Sequence, residues 1–325
     1  MTRRVLVTGG AGFIGSHVCD RLVADGWDVE IVDDLSSGKR ANVPRGVGLH
    51  ELDIRSSEAA NFVSSGRFDA VVHLAAQMDV RRSVADPRFD ASVNIAGTLN
   101  ILEALRRARS NARFVFASSG GAVYGDYPTP PNAEVAQKEP DSPYAISKLA
   151  MEYYLAFYGR VHGMETVSLR FANVYGPRQD PHGEAGVVSI FCSRILEDKA
   201  LTVFGDGTQT RDYVHVSDVA DAVVRAITVL LPDPKRIDDR AFNIGTGVAT
   251  SVLELASALK KATHVETPIE FAPARIGEQY ASFVAIDRAR AQLGWSPRVR
   301  LEDGLGGTFA WFAAQAEAAS TSPTS

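Results

Sequence analysis

Short apolar runs alternate with longer amphipathic stretches through the first half of the chain. RVLVTGG (4–10), DVEIVDD (28–34), GLHELDI (48–54), DAVVHLAA (69–76) and RFVFASS (113–119) carry Val, Ile, Leu and Phe with little alternation. That is the pattern of strands covered on both faces. Helical spacing follows the first run over 13–25, and returns over 92–108 and after Pro143. Strands alternating with helices predict βαβ units and a Rossmann-type, doubly wound parallel sheet.

Past residue 174 the pattern changes. Pro177, Pro181, Gly176, Gly183 and Gly186 make a loop-rich passage, followed by helical patterns at 187–198, 216–228 and 251–262 and short strands in LTVFGD and TPIEFA. This predicts a smaller, mixed α/β substrate-binding lobe over the carboxyl ends of the strands. The expected division is 1–174 for the dinucleotide-binding domain and 175–315 for most of the second lobe, with interleaved segments. The last ten residues, AEAASTSPTS (316–325), are small and polar and are expected to be a disordered tail.

Charge alters this picture little. Of 325 residues, 34 are Lys or Arg and 39 Asp or Glu, and no stretch interleaves clustered cations with aromatics, so nucleic acid is not an expected partner. Cys19 and Cys192 stand far apart with no metal-ligand spacing; buried thiols in a reducing compartment are expected, and no metal. Gly9, Gly10 and Gly12 break the N-terminal apolar run before an export segment forms. No run of about twenty apolar residues exists to cross a membrane. A cytoplasmic protein is the expectation.

The chemistry begins where the first strand ends. Gly9, Gly12 and Gly15 form G-x-x-G-x-x-G between that strand and a helix, where a Cβ would block the approach of backbone to a pyrophosphate and the helix N-terminus offers amide donors. Asp33 follows 18 residues after Gly15, at the end of the second strand. A carboxylate there accepts hydrogen bonds from both ribose hydroxyls and repels a 2′-phosphate, which favours NAD over NADP. Lys39 and Arg40 would suit a 2′-phosphate, but Asp33 and Asp34 oppose it. Asp53, near the end of the third strand, is placed to meet the adenine amino group or to serve as a turn residue.

A second constellation lies in PYAISKLAMEYYL. Tyr144 and Lys148 are one turn apart on one helical face, with Pro143 in the first turn and Asp141 or Ser142 as the cap. An ammonium beside a phenol favours the phenolate, so a tyrosine of ordinary pKa near ~10 becomes a base near neutrality. The preceding ASSGGAVYG (117–125) lacks G-x-S-x-G, which excludes a serine-hydrolase elbow.

On these residues the chain resembles the extended short-chain dehydrogenase/reductase family, and within it the nucleotide-sugar 4-epimerases. The carriers are TGGAGFIGSH, VDDLSSG, VVHLAAQ, ASSGGAVYG, YAISKLA, RFANVYGPRQ, TRDYVHVSDVA and FNIGTG. The resemblance implies tightly bound NAD, held by Gly9, Gly12, Phe13, Ile14, Gly15, Asp33, Asp34, Ser37, Gly38, Asp53, Ile54, Leu74, Ala75, Ala76, Gln77, Asn94, Tyr144, Lys148 and Phe171. It implies catalysis by Tyr144, Lys148 and a serine at the end of the fifth strand. Counting from the strand gives Ser119, with Ser118 as the alternative; counting back from Val123-Tyr124-Gly125 falls on Gly120. Dehydrating relatives place Asp-Glu directly after this serine or threonine, and decarboxylating ones a glutamate. Gly120 and Gly121 supply neither, which leaves a 4-keto intermediate only reduction back by the same cofactor.

For a UDP-sugar substrate the resemblance implies Arg211 and Arg275 on phosphate, Glu278 toward the nucleotide ribose, Asn173 near sugar and phosphate, and Val203 and Phe204 beside uracil. Taken alone, Arg211 beside Asp212 also reads as a surface ion pair. The favoured pair is UDP-glucose and UDP-galactose. A small Ser282 leaves UDP-N-acetylglucosamine open; Arg178 or Arg81 and Arg82 would serve UDP-glucuronate, although Phe171 offers a carboxylate nothing polar. A reductase releasing its product and a non-catalytic NAD(H)-sensing protein are the other classes. The resemblance also implies a homodimer, paired through the Tyr144 helix and the helix at 92–108.

Overall fold

The computed structural model describes residues 2–126, 128–181, 186–274 and 279–321. Six strands come from residues 4–171: β1 (Arg4–Thr8), β2 (Asp28–Asp33), β3 (Gly48–Glu51), β4 (Ala70–His73), β5 (Arg113–Ser119) and β6 (Thr166–Phe171). The rest adds β7 (Asn173–Tyr175), β8 (Leu201–Phe204), β9 (Thr210–Arg211), β10 (Tyr213–His215), β11 (Ala241–Ile244), β12 (Thr250–Ser251), β13 (Ile269–Ala272) and β14 (Ala281–Ser282). Seven of these form one sheet in the order β11-β6-β5-β4-β1-β2-β3, every pair parallel. The predicted doubly wound Rossmann sheet is therefore the architecture. Strand order reverses between β1 and β4, and ligands of such sheets bind at the carboxyl ends at that point.

Residues β1, β4 and β5 contribute are almost wholly buried, as parallel strands between helical layers must be. The helices are α1 (Phe13–Ala24), α2 (Ser57–Ser65), α3 (Val80–Ala85), α4 (Pro87–Ala91), α5 (Thr98–Arg107), α6 (Pro143–His162), α7 (Val187–Leu196), α8 (Val216–Thr228), α9 (Val252–Thr263), α10 (Asp287–Leu293) and α11 (Leu301–Thr321). One core cluster lies under α1 and α8, a second under α2, α5 and α6, and a third joins α7, α9 and α11 to β8 in the smaller lobe.

Four elements depart from the expectations. Strands β6 and β11 are short and buried without alternation, and β11 returns from the second half of the chain to the sheet edge beside β6. The stretch 92–108 is not one α-helix: Ser92–Gly97 is π-helical and the α-helix starts at Thr98. Of the expected tail, α11 takes residues through Thr321. Alanines at 316, 318 and 319 favour helix there, and 322–325 lie outside the described residues.

Candidate active site

At the switch point the chain is folded tightly around glycine. Gly9 adopts φ +71°, and a Cβ on it would lie 2.6 Å from the amide nitrogen of Ala75. A Cβ on Gly15 would lie 2.0 Å from the Gly9 carbonyl oxygen. The turn is thus pressed between the exit of β4 and the first turn of α1. Gly12, which ends the turn, gives α1 no side-chain cap, so the amides at Phe13 and Ile14 begin a helix still open to an anionic ligand.

Asp33 closes β2 beside this turn. Its carboxylate accepts the Ala11 amide at 2.9 Å and the Leu35 amide at 2.9 Å, and Gly38 packs so closely that a Cβ would meet the carboxylate at 2.6 Å. Burial raises the Asp33 pKa, against the pull of those amides. Asp34 shapes the adjoining turn through Ser36, next to Ser37. The cations that would suit a 2′-phosphate are turned elsewhere: Lys39 lies 3.6 Å from Asp180, and Arg40 pairs with Glu51.

Asp53 lies two residues beyond the end of β3, in a loop, and its carboxylate is gripped by the Arg55 guanidinium at 2.9 Å to each oxygen. That arginine holds its pKa below the usual value. Ile54 is buried against Gly97. Half-buried Leu74, Ala75 and Ala76 follow β4. Gln77 is fixed by Asn94, which accepts the Gln77 amide at 2.8 Å and donates to its carbonyl at 2.7 Å. Asn94 sits in the π-helical turn, a distortion that recurs at functional sites. Phe171, at the end of β6, is buried and accepts the Gly120 amide at 2.8 Å through its carbonyl.

Helix α6 is capped by Ser142, whose hydroxyl accepts the Ala145 amide at 3.2 Å. Of the two candidates for that role, Asp141 is not the cap. The helix carries Tyr144 and Lys148 toward the end of β5. Lys148 is buried and donates to the Ala117 carbonyl at 2.9 Å, with its ammonium 5.7 Å from the Tyr144 ring centre. Burial pulls its pKa down to about 8, opposed by Asp90. The Tyr144 amide donates to the Ser83 hydroxyl at 3.2 Å.

Geometry separates the two serines. The Ser118 hydroxyl is buried and donates to Glu152. Ser119 faces the opposite way along the strand, as alternation requires. A side chain at Gly121 would find Asn173 Oδ1 at 3.7 Å, Ser282 Oγ at 3.9 Å and Ser119 Oγ at 4.0 Å as its nearest neighbours. Gly120 instead packs against the Arg170 carbonyl, 3.0 Å from where its Cβ would stand.

Beyond Asn173 opens a cleft of about 410 Å³, lined among others by Asn173, Val187, Thr202, Phe204, Gln209 and Arg211. Sequence placed Val203 and Phe204 together there, but β8 alternates. Val203 is fully buried in the lobe's core, while Thr202 and Phe204 line the cleft. Asp212 is not a surface partner for Arg211: it is buried and accepts from Thr246 and Gly247 at 2.6–3.0 Å. Arg178 has φ +70°, and its guanidinium reaches Asp20 on α1 at 2.7 Å, which turns its charge from the cleft. Arg81 and Arg82 are exposed on α3, Arg82 lying over Phe89. Arg275 and Glu278 lie outside the described residues. Residues that sequence reasoning missed are Thr202 and Gln209 in the cleft and Ser83, Asp90 and Ser147 around α6; the last three are single polar residues with partners distant in the chain.

Fold and cradle together define a dinucleotide-binding protein of extended short-chain dehydrogenase/reductase type. Residues 5–245 match the model of the NAD dependent epimerase/dehydratase family, and the chain belongs to that family. It is 44% identical over 314 residues to a UDP-glucose 4-epimerase of Mycolicibacterium smegmatis, covering 95% of this chain and 98% of the relative. Among solved structures it is similar to the UDP-glucose 4-epimerase of Thermotoga maritima with UDP-glucose, at 43% identity and a TM-score of 0.91, covering 96% of this chain and 99% of that one. The Thermus thermophilus UDP-glucose 4-epimerase in complex with NAD matches at 43% identity and a TM-score of 0.87, over 95% and 99%. Among the described residues no helix is long and apolar enough to cross a membrane, and no cluster of His, Cys, Asp or Glu could hold a metal ion.

Proposed function

We propose that this chain interconverts UDP-glucose and UDP-galactose by NAD-dependent epimerisation at C4. One observation carries the reading beyond family membership. The position that faces the sugar after Ser119 is Gly121, and the nearest groups around it are two hydroxyls and an amide oxygen, none of them a carboxylate. Among the described residues, none of these nearest groups protonates a leaving hydroxyl or removes a second proton, so a 4-ketosugar returns to an alcohol.

The glycine turn fits NAD, since Gly12 leaves the first amides of α1 without a side-chain cap, free for a pyrophosphate. When bound, NAD would supply the acceptor and donor of the hydride exchanged with C4 of the sugar. The protein's own groups do the proton work. Tyr144 takes the proton from the 4-hydroxyl, and Ser119 bridges that hydroxyl to the phenol. Lys148 holds the phenol in its ionised form by charge. With the lysine pKa near 8, turnover is expected to fall above about pH 8 as the ammonium is lost. Arg211 and the cleft around Phe204 hold the nucleotide while the sugar turns, a role for which the bidentate arginine fork suits pyrophosphate.

The working division is residues 1–174 for the cofactor and 175–315 mainly for the nucleotide sugar. A homodimer is part of the proposal: Ile146, Tyr153, Tyr154, Phe157 and Val161 form an apolar stripe on α6 that is 41–61% exposed in the single chain. A cytoplasmic setting suits the two buried, unpaired thiols.

Incubating the purified protein with UDP-galactose and no added NAD tests the assignment. UDP-glucose in the anion-exchange trace is the expected product; none, even after NAD is supplied, overturns it. Cofactor choice has its own test. Asp33→Ser is expected to weaken NAD binding by about tenfold or more and to narrow its preference over NADP, as a bidentate ribose contact and a repulsive charge are lost together. Titration of stripped protein with each dinucleotide measures both.

A further inference from the structure

Behind the Tyr144–Lys148 pair lies a carboxylate that no motif announced. Asp90, on the short helix α4, has no exposed surface. One of its oxygens accepts the Ser147 hydroxyl at 2.6 Å; the other accepts the Gln77 amide group at 3.1 Å and that of Asn94 at 3.0 Å. Ser147 stands between Tyr144 and Lys148 on α6, while Gln77 and Asn94 belong to the loop after β4 and the π-helical turn. A single side chain therefore ties the catalytic helix to the expected nicotinamide side of the site. A buried carboxylate is costly unless fully hydrogen-bonded, and this one is accepting three donors without a salt bridge.

The surroundings of Lys148 show what its charge does. From α6 itself Tyr144 faces the ammonium, and from β5 the Ala117 carbonyl and the Phe116 ring, 4.9 Å away. From β4 comes His73, which burial keeps neutral, its pKa near 3, between the hydroxyls of Thr8 and Thr98. Asp90, hydrogen-bonded at 2.6 Å to Ser147 beside Lys148 in the chain, raises the lysine pKa against its burial.

We propose that Asp90 is a positioning residue that fixes α6 against the cofactor-side loop through Ser147 and supplies the counter-charge to the Lys148 ammonium. The inference rests on the role given above to Tyr144 and Lys148. Asp90→Asn separates charge from shape. The amide oxygen can accept from Gln77 and Asn94 while its NH₂ donates to Ser147, whose hydroxyl turns round.

The test is a titration of the full-length protein carrying [¹³Cε]lysine, with the Lys148 resonance assigned by its loss in Lys148→Arg. Asp90→Asn is expected to lower the Lys148 midpoint by about one pH unit. The alkaline limb of kcat should move to lower pH with it, at unchanged KM for UDP-galactose. Ser147→Ala removes the tie and keeps the charge, so the midpoint should stay while kcat falls by about three- to tenfold. If Asp90→Asn melts below the assay temperature, Asp90→Ser, smaller and also uncharged, carries the same titration. An unmoved midpoint in the uncharged variant overturns the proposal. A wild-type protein without epimerase activity would strike the functional reading instead, because the lysine midpoint is read without turnover.

Discussion

Tyr144→Phe is expected to lower kcat for UDP-galactose by about 10²–10⁴-fold, the range in which a positioned acid–base group contributes. The substitution removes one oxygen and leaves its setting in place. The backbone amide at 144 still meets Ser83, and the aromatic ring stays 5.7 Å from the Lys148 ammonium. Folding should be unaffected, and dinucleotide should remain bound, since the glycine turn and Asp33 are untouched. The loss therefore belongs to proton transfer at the 4-hydroxyl. Single-turnover kinetics with bound nicotinamide absorbance as the signal separates this from weaker substrate binding. A variant retaining full rate would remove Tyr144 from the chemistry and with it the proposed mechanism.

The largest stability effect should come from Arg170→Met. Arg170 has no exposed surface, and its guanidinium donates at 3.0 Å to one oxygen of Glu152, at 2.7 Å to Asp238, at 3.0 Å to the Tyr124 hydroxyl and at 2.8 Å to the Glu134 carbonyl. Glu152 also has no exposed side-chain surface. Removing one partner of a buried pair strands the other charge, at a cost of about 3–5 kcal/mol. Urea denaturation should register that loss as an earlier midpoint. Adding Glu152→Gln should return part of it, because the stranded carboxylate becomes a neutral amide. If the double variant is no more stable than the single one, the buried charge is not the source of the cost.

The contrast between these residues explains what the sequence made legible. Gly9, Gly12, Gly15 and Asp33 lie within one β1–α1–β2 unit, and Tyr144 and Lys148 within one helical turn, so spacing alone brought each set together. Arg170, Glu152 and Asp238 come from β6, α6 and a loop before β11, and their meeting depends on strand order that no local pattern contains. Asp90 is hidden for the same reason. Period-two alternation in LTVF could have divided Thr202 and Phe204 from Leu201 and Val203, a signal present but not used. Strand β11 was missed because AFNI is too short to announce itself, and β6 because TVSLRF carries a charged residue where burial predicts none. The arginine in that strand belongs to the interior only because three other segments supply its partners.

The place of β11 bears on how the protein is made. Until residues 241–244 leave the ribosome, β6 is the outermost strand of the sheet, with a row of backbone donors and acceptors open to any extended chain nearby. Asp238, three residues before that strand, arrives almost with it and completes the charge balance around Arg170. A nascent chain stopped at residue 174 would hold the glycine turn, Asp33, Tyr144 and Lys148, yet present an unpaired β6 edge and lack Asp238 beside Arg170. Synthesis of the second lobe is thus also the step that protects the first from self-association.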